Sequence, residues 1–200
     1  YYLVDGEGWI NASDLSTTDN RIEAVQKVLN EKYNNQERIS VYVKQLDTDR
    51  VAAINDEKSM YAASVAKLGV LYYAQERLSQ KKLSLSDEYQ YTAAVNGFPG
   101  AYDPDGSGKI SKIPDDKNYS LENLLKAVAQ NSDNVATNIL GYYVTNQYDK
   151  AFQKSVDKAA ATSWNMDKKE LTARAAGTLM EAVYRQNGDI INYLSSTDYD

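Results

Sequence analysis

Met60-Tyr61-Ala62-Ala63-Ser64-Val65-Ala66-Lys67-Leu68-Gly69-Val70-Leu71-Tyr72-Tyr73-Ala74-Gln75 decides how this chain is read. The stretch is apolar almost throughout, and a helix apolar on all sides is a buried one. Lys67 is its only charged residue. It stands three positions after Ser64, so on a helix the two side chains share a face. An apolar surround disfavours the ammonium form and pulls the lysine pKa down. A neutral lysine beside a hydroxyl is a competent general base. Ser64 falls at or near the helix N-terminus, where unpaired N–H groups favour an anion and its own N–H can form half of an oxyanion hole. Taken alone, the pair is also explained by a snorkelling lysine and an incidental serine.

A second element follows 68 residues on: Ser132-Asp133-Asn134, at a helix N-terminus within Asn131-Ser132-Asp133-Asn134-Val135-Ala136-Thr137-Asn138. Ser-x-x-Lys with Ser-Asp-Asn is the motif set of class A β-lactamases and penicillin-binding proteins. In order, spacing and secondary-structure context, residues 20–195 resemble the class A β-lactamase-like, penicillin-recognising serine hydrolases. The resemblance implies an α+β fold of the β-lactamase/DD-peptidase kind: a helical subdomain on an antiparallel sheet whose first hairpin is residues 38–55.

It also implies roles. Ser64 attacks an acyl carbonyl and Lys67 takes its proton. Ser132 relays a proton to the leaving nitrogen. Asn134 hydrogen-bonds the substrate amide, and Tyr102 is the candidate aromatic platform at the mouth of the site, although a loop aromatic packed on its own loop explains it equally. Asp133 supports its loop from behind, as a simple N-cap also would, and Asn138 matches the position that braces the loop beside the site. The implied substrates are β-lactams or peptidoglycan-like peptides or esters, with no cofactor and no metal. The alternative is a wall-associated binding protein that keeps the fold with little turnover.

Two departures qualify the resemblance. In class A enzymes a long loop carries a Glu that activates the deacylating water. Here Ala160-Ala161-Thr162-Ser163-Trp164-Asn165-Met166-Asp167 is short and has no Glu, and Glu170 reads as an acid at the next helix start. Slow deacylation is therefore expected. The family's Lys-Thr/Ser-Gly strand is also absent. Its place in the motif order lies after Asp200, so we expect the natural chain to continue into about three more antiparallel strands.

Composition narrows the classes independently. The chain has 200 residues, 42% hydrophobic and 25% charged, as a soluble globular domain has. There is no Cys and no His, which excludes a thiol nucleophile, a Ser-His-Asp triad and Zn sites built on those ligands. A net charge of −6 without a basic stripe argues against nucleic acid. The 17 tyrosines suit a polymer-facing surface or ordinary core and rim positions. We expect a monomer at the surface of, or outside, a Gram-positive-type bacterium.

Along the chain, residues 1–17 read as strand, Gly turn, strand: an N-terminal arm resembling the last hairpin of an SH3-like wall-binding module, and so a route to cell-wall polymer. Residues 18–200 read as the hydrolase domain. A helix is expected over 19–33 with Ile22, Val25, Val28 and Leu29 on one face, then a hairpin turning at Asp47-Thr48-Asp49. Residues 82–118 read as irregular. Helices are expected from Ser120, from a Ser132 or Asp133 cap, over 149–160, and from a Thr172 cap to Gln186 with Gly188 as its C-cap. Asp103-Pro104-Asp105-Gly106-Ser107-Gly108 mimics the start of an EF-hand loop. Its twelfth position is Pro114 instead of Glu, so it reads as a surface turn.

Overall fold

The computed structural model describes residues 2–4, 8–11 and 19–197. The chain divides into two compact units, Tyr1–Asp56 and Glu57–Asp200.

In the first unit β1 (Tyr2–Val4) pairs antiparallel with β2 (Gly8–Ile10). The rest of the expected N-terminal arm, residues 5–7 and 12–18, lies outside the described residues. Helix α1 spans Arg21–Tyr33, and β3 (Val41–Gln45) and β4 (Arg50–Ile54) form the expected hairpin. Asp49, in its turn, takes the left-handed conformation at φ 57°. Ile22, Leu29, Ala52 and Ile54 make a small core. Gln26 fixes the helix on the strand: its Nε2 donates to the Ala53 carbonyl (3.0 Å) and its Oε1 accepts from the Ala53 N–H (2.7 Å). Val28, expected on the inner face, is exposed.

The second unit is mainly helical. Its elements are β5 (Met60–Tyr61), a 3-10 turn (Ala63–Ala66), α2 (Lys67–Ser79), β6 (Glu88–Gln90), a second 3-10 turn (Ala93–Asn96) and β7 (Asn118–Ser120). Then come α3 (Leu121–Asn131), α4 (Asn134–Tyr143), α5 (Lys150–Ala160), β8 (Glu170–Leu171), α6 (Ala173–Gln186) and α7 (Asp189–Leu194). The strands form two further antiparallel pairs, β5 with β8 and β6 with β7.

Helix α2 runs through the middle and packs on α3, α4, α5, α6 and α7. Val70, Leu71 and Ala74 meet a core that includes Leu124, Ile139, Phe152, Trp164, Leu179 and Ile190. Gly69 lets the helix approach Trp164: a Cβ there would stand 3.1 Å from the indole nitrogen.

The helix starts follow the side chains that cap them. Ser120, Asp133, Asp149 and Thr172 each accept a backbone N–H from the first turn of α3, α4, α5 and α6 respectively.

Three sequence expectations change. The 60–75 run is not one helix. Tyr61 pairs with Glu170 across β5 and β8, and Val65 lies exposed on the 3-10 turn; only from Lys67 does the α-helix begin. Periodicity within the run cannot report a strand partner more than a hundred residues away. The 82–118 segment is not wholly irregular: it holds the short strand β6, whose partner β7 closes the segment. Gly188 is not the C-cap of α6. Asn187 takes the left-handed conformation at φ 47°, and Gly188 precedes α7 as its N-cap.

Candidate active site

Ser64 lies in the 3-10 turn and Lys67 opens α2 directly after it. In a 3-10 turn residues three apart eclipse one another, so the two side chains leave the same side of the chain. The two differ sharply in burial: Ser64 is exposed, whereas Lys67 is 3% exposed.

The backbone before Ser64 is unusual. Ala63 has φ 47°, a left-handed value that costs a residue with a Cβ roughly 1 kcal/mol or more. Both its flanks are held. The Ala62 N–H donates to the Lys169 carbonyl (2.7 Å), and the Tyr102 hydroxyl donates to the Ala63 carbonyl (3.1 Å).

The Lys67 ammonium has three oxygen partners: the Ser132 carbonyl (2.6 Å), the Ser132 hydroxyl (3.1 Å) and Asn134 Oδ1 (2.6 Å). Burial pushes its pKa down to about 8; the Asp133 carboxylate opposes the shift, while Lys112 and then Lys169 add to it by repulsion. A lysine with that value holds a usable neutral fraction near neutral pH.

Ser132 ends α3 in the left-handed conformation, φ 51°, and α4 starts two residues later. Asp133, between them, is fully buried. Its Oδ1 caps α4 by accepting from Ala136 N (2.8 Å), and its Oδ2 accepts from Lys109 N (2.6 Å) and Ile110 N (2.9 Å). Asn134 reaches the same loop, its Nδ2 donating to Asp103 O (2.8 Å) and its backbone N–H to Ser107 O (2.8 Å). The loop comes so close that a Cβ on Gly106 would overlap the Asn134 amide at 2.2 Å, and one on Gly108 the Asp133 carboxylate at 2.3 Å. The Asp103–Gly106 piece is a hydrogen-bonded turn, and among the described residues no metal-binding cluster of acidic side chains is present.

Asn138 sits one turn of α4 beyond Asn134. Its amide accepts from Tyr102 N (2.7 Å) and donates to Tyr102 O (2.8 Å) and Asn96 Oδ1 (2.9 Å). The segment it braces is thus 96–102. Tyr102 itself is buried, not an open platform at a mouth. Its ring faces two cations: Lys67 Nζ is 4.7 Å and Lys169 Nζ 4.4 Å from the centroid. Burial raises its phenol pKa far above the ordinary value.

The structure therefore brings Lys67, Ser132 and Asn134 into direct contact, with Tyr102, Asp133 and Asn138 around them. Sequence reading missed Lys169 and Lys112. Lys169 sits in Lys168-Lys169-Glu170, which reads as a solvated charge run, and Lys112 lies in a segment read as irregular. Glu170 was expected at a helix start. It lies instead on β8 opposite Tyr61, exposed, and Thr172 does the capping. In the loop before it, Trp164 and Met166 are buried, and the Gln153 amide donates to the Trp164 carbonyl.

The family model described as "Beta-lactamase enzyme family" matches residues 20–200. The chain belongs to that family. No curated protein gives a match. Among solved structures, this family member is similar in fold to a mutant of PBP-A described as an acyl-enzyme complex with penicillin G, at 14% identity and TM-score 0.70, covering 89% of this chain and 70% of that one. It is similar to a beta-lactamase from Sphaerobacter thermophilus at 15% identity and TM-score 0.67, covering 91% and 72%. It is also similar to the D-alanyl-D-alanine carboxypeptidase DacD from Francisella tularensis at 18% identity and TM-score 0.57, covering 72% of this chain and 36% of that one. These identities speak to the fold alone: α+β, of the β-lactamase and penicillin-binding kind.

Proposed function

We propose that the chain is an active-site-serine acyl hydrolase that forms an acyl-enzyme on Ser64 with β-lactams or with peptidoglycan-like peptides or esters. The observation that carries this reading is the buried Lys67, held by Ser132 and Asn134 one 3-10 turn after an exposed Ser64.

In the proposed reaction Ser64 Oγ attacks the acyl carbonyl carbon while Lys67, neutral, takes the hydroxyl proton. A new C–O bond forms and the carbonyl pair moves to oxygen. The 3-10 turn leaves the Ser64 N–H as one donor for that oxyanion. Collapse breaks the C–N bond, and Lys67 returns the proton to the leaving nitrogen through the Ser132 hydroxyl. Asn134 has one amide hydrogen left after donating to Asp103 O, and it is assigned to the substrate's amide carbonyl. Asp133 and Asn138 hold the two loops around these groups. Tyr102, buried, supports the Ser64 turn and is not assigned a substrate contact.

Deacylation is proposed to be slow, because residues 146–169 contain no Glu to position a water. The same absence favours a second reading, a wall-associated protein that is acylated once and turns over little. Peptidoglycan-like substrates would place either protein outside a bacterial cell. Intact-protein mass spectrometry with a penicillin tests acylation: one adduct is expected, lost in Ser64→Ala. An adduct that survives in that variant would move the nucleophile elsewhere. A chromogenic cephalosporin separates the readings, a single burst indicating binding and a sustained rate indicating hydrolysis.

A further inference from the structure

Lys169 belongs to neither motif, yet three contacts build it into the site. Its carbonyl accepts the Ala62 N–H, its Nζ donates to Gly100 O (3.0 Å), and that same Nζ faces the Tyr102 ring. It is held there by backbone too, with φ 52° just before β8. Lys67 faces the same ring. We propose that Lys169 is a positioning residue of this site, acting on Lys67 across the Tyr102 ring that both lysines share.

An aromatic face attracts an ammonium, but two ammonium groups gathered at one ring repel each other. The cheaper state leaves one of them neutral. Lys67 is the more deeply buried of the two, and burial is the largest cause of its lowered pKa. Lys169 is half-buried, and although burial lowers its pKa as well, the Asp167 carboxylate favours its charged form. As pH rises, Lys67 is therefore the one of the two that gives up its proton first. Other groups act on Lys67 as well: Asp133 from the start of α4 favours its ammonium, and Lys112 from the 103–116 loop disfavours it, more strongly than Lys169 does. Ser132 and Asn134 are uncharged. Lys169 differs from Lys112 in being tied by its own carbonyl to the residue two before Ser64.

The inference rests on the proposed base role of Lys67 for its catalytic meaning, but its test does not need catalysis. In the intact protein carrying lysine labelled with ¹³C at Cε, NMR follows the Lys67 signal, assigned by its loss in Lys67→Arg, as pH is raised. Lys169→Met and Lys169→Gln should move the Lys67 midpoint up by about half a pH unit, and Lys169→Arg, which keeps the charge, should leave it in place. Near pH 7 that shift cuts the neutral fraction of Lys67 about threefold. Penicillin acylation should then fall about threefold at pH 7 and recover above pH 9.5, a pattern that a merely structural loss would not give. An unmoved midpoint in both neutral variants overturns the proposal, as does a midpoint that rises equally in Lys169→Arg. A wild-type protein that no β-lactam acylates would remove the proposed function, and the lysine titration would still decide this one.

Discussion

Lys67 Nζ meets Ser132 twice, at the carbonyl oxygen (2.6 Å) and at the hydroxyl (3.1 Å). With Asn134 Oδ1 as the third partner, every N–H direction of the ammonium is occupied. The carbonyl and the amide oxygen only accept, so they keep two hydrogens on a neutral amine. At rest its lone pair is then directed at the Ser132 hydroxyl, which can donate, and to act as base it must turn to the Ser64 hydroxyl. The deprotonated base and the proposed relay are thus paired before substrate arrives.

The first prediction follows from that pairing. Acylation of the protein by a penicillin should rise with pH through about 8, where Lys67 loses its proton, and level off above it. The sign is fixed by the neutral amine being the active form. Lys67→Ala and Lys67→Arg should each lower the rate by ~10²-fold and flatten that rise. Stopped-flow acylation across pH 6–10 checks it. A Lys67→Arg protein with the wild-type profile would remove the base role.

Second, Ser132→Ala should cost nearly as much as losing Lys67, about 10²-fold in acylation, because the proton taken from Ser64 then has no path from Lys67 to the leaving nitrogen. Thermal melts should show a folded protein. Acylation within a factor of two of wild type would mean that Ser132 only satisfies the ammonium.

Third, the acyl-enzyme should persist. With no Glu in residues 146–169, release of a chromogenic cephalosporin should stop after about one equivalent. If turnover is instead sustained, Glu170→Gln becomes the informative variant, since Glu170 is exposed on the strand that pairs with Tyr61.

Fourth, Asn138→Ala should destabilise the protein by about 1–3 kcal/mol for each buried backbone group it orphans, and the two groups are the N–H and carbonyl of Tyr102. Urea denaturation measures this. Acylation should fall as well, because Tyr102 carries the hydroxyl that holds Ala63 O. A neutral substitution would show that the 96–102 segment is fixed by other contacts.

Fifth, Gly108→Ala should cost about 1–3 kcal/mol, since its Cβ would overlap the Asp133 carboxylate at 2.3 Å on a backbone with φ 130°. A shift in the urea midpoint is the readout. An unchanged midpoint would mean that the 106–110 loop moves away from Asp133 without cost.

Much of this site was legible in the sequence because its parts are local. Ser64 and Lys67 are three residues apart, and Ser132, Asp133, Asn134 and Asn138 share one helix start. The caps at Ser120, Asp133 and Thr172 follow from short polar side chains that satisfy free N–H groups. What escaped was set by distant partners. Lys169 looks like a surface charge until β8 pairs with β5. The left-handed Ala63 carries no Gly or Asn to announce it. The sequence left Tyr102 open between a platform at the mouth and a ring packed on its own loop, and the brace on its backbone comes from Asn138, 36 residues later. Gly188 suggested the end of α6, but Asn187 can also occupy the left-handed region and took that place first.

The pairing of Met60 with Leu171 and of Tyr61 with Glu170 also dates the turn that carries Ser64. During synthesis from the N-terminus, α2, α3, α4 and α5 can begin to pack as they emerge, whereas α6 and α7 follow β8. The turn that presents Ser64 cannot close until residue 171 has been made, because the carbonyl that holds Ala62 belongs to Lys169. Contacts of such long sequence separation form late and slowly. A nascent chain therefore carries Ser64 long before the strand pair that fixes its turn can form, and under the proposed function it would gain sensitivity to acylating agents only after β8 has joined β5.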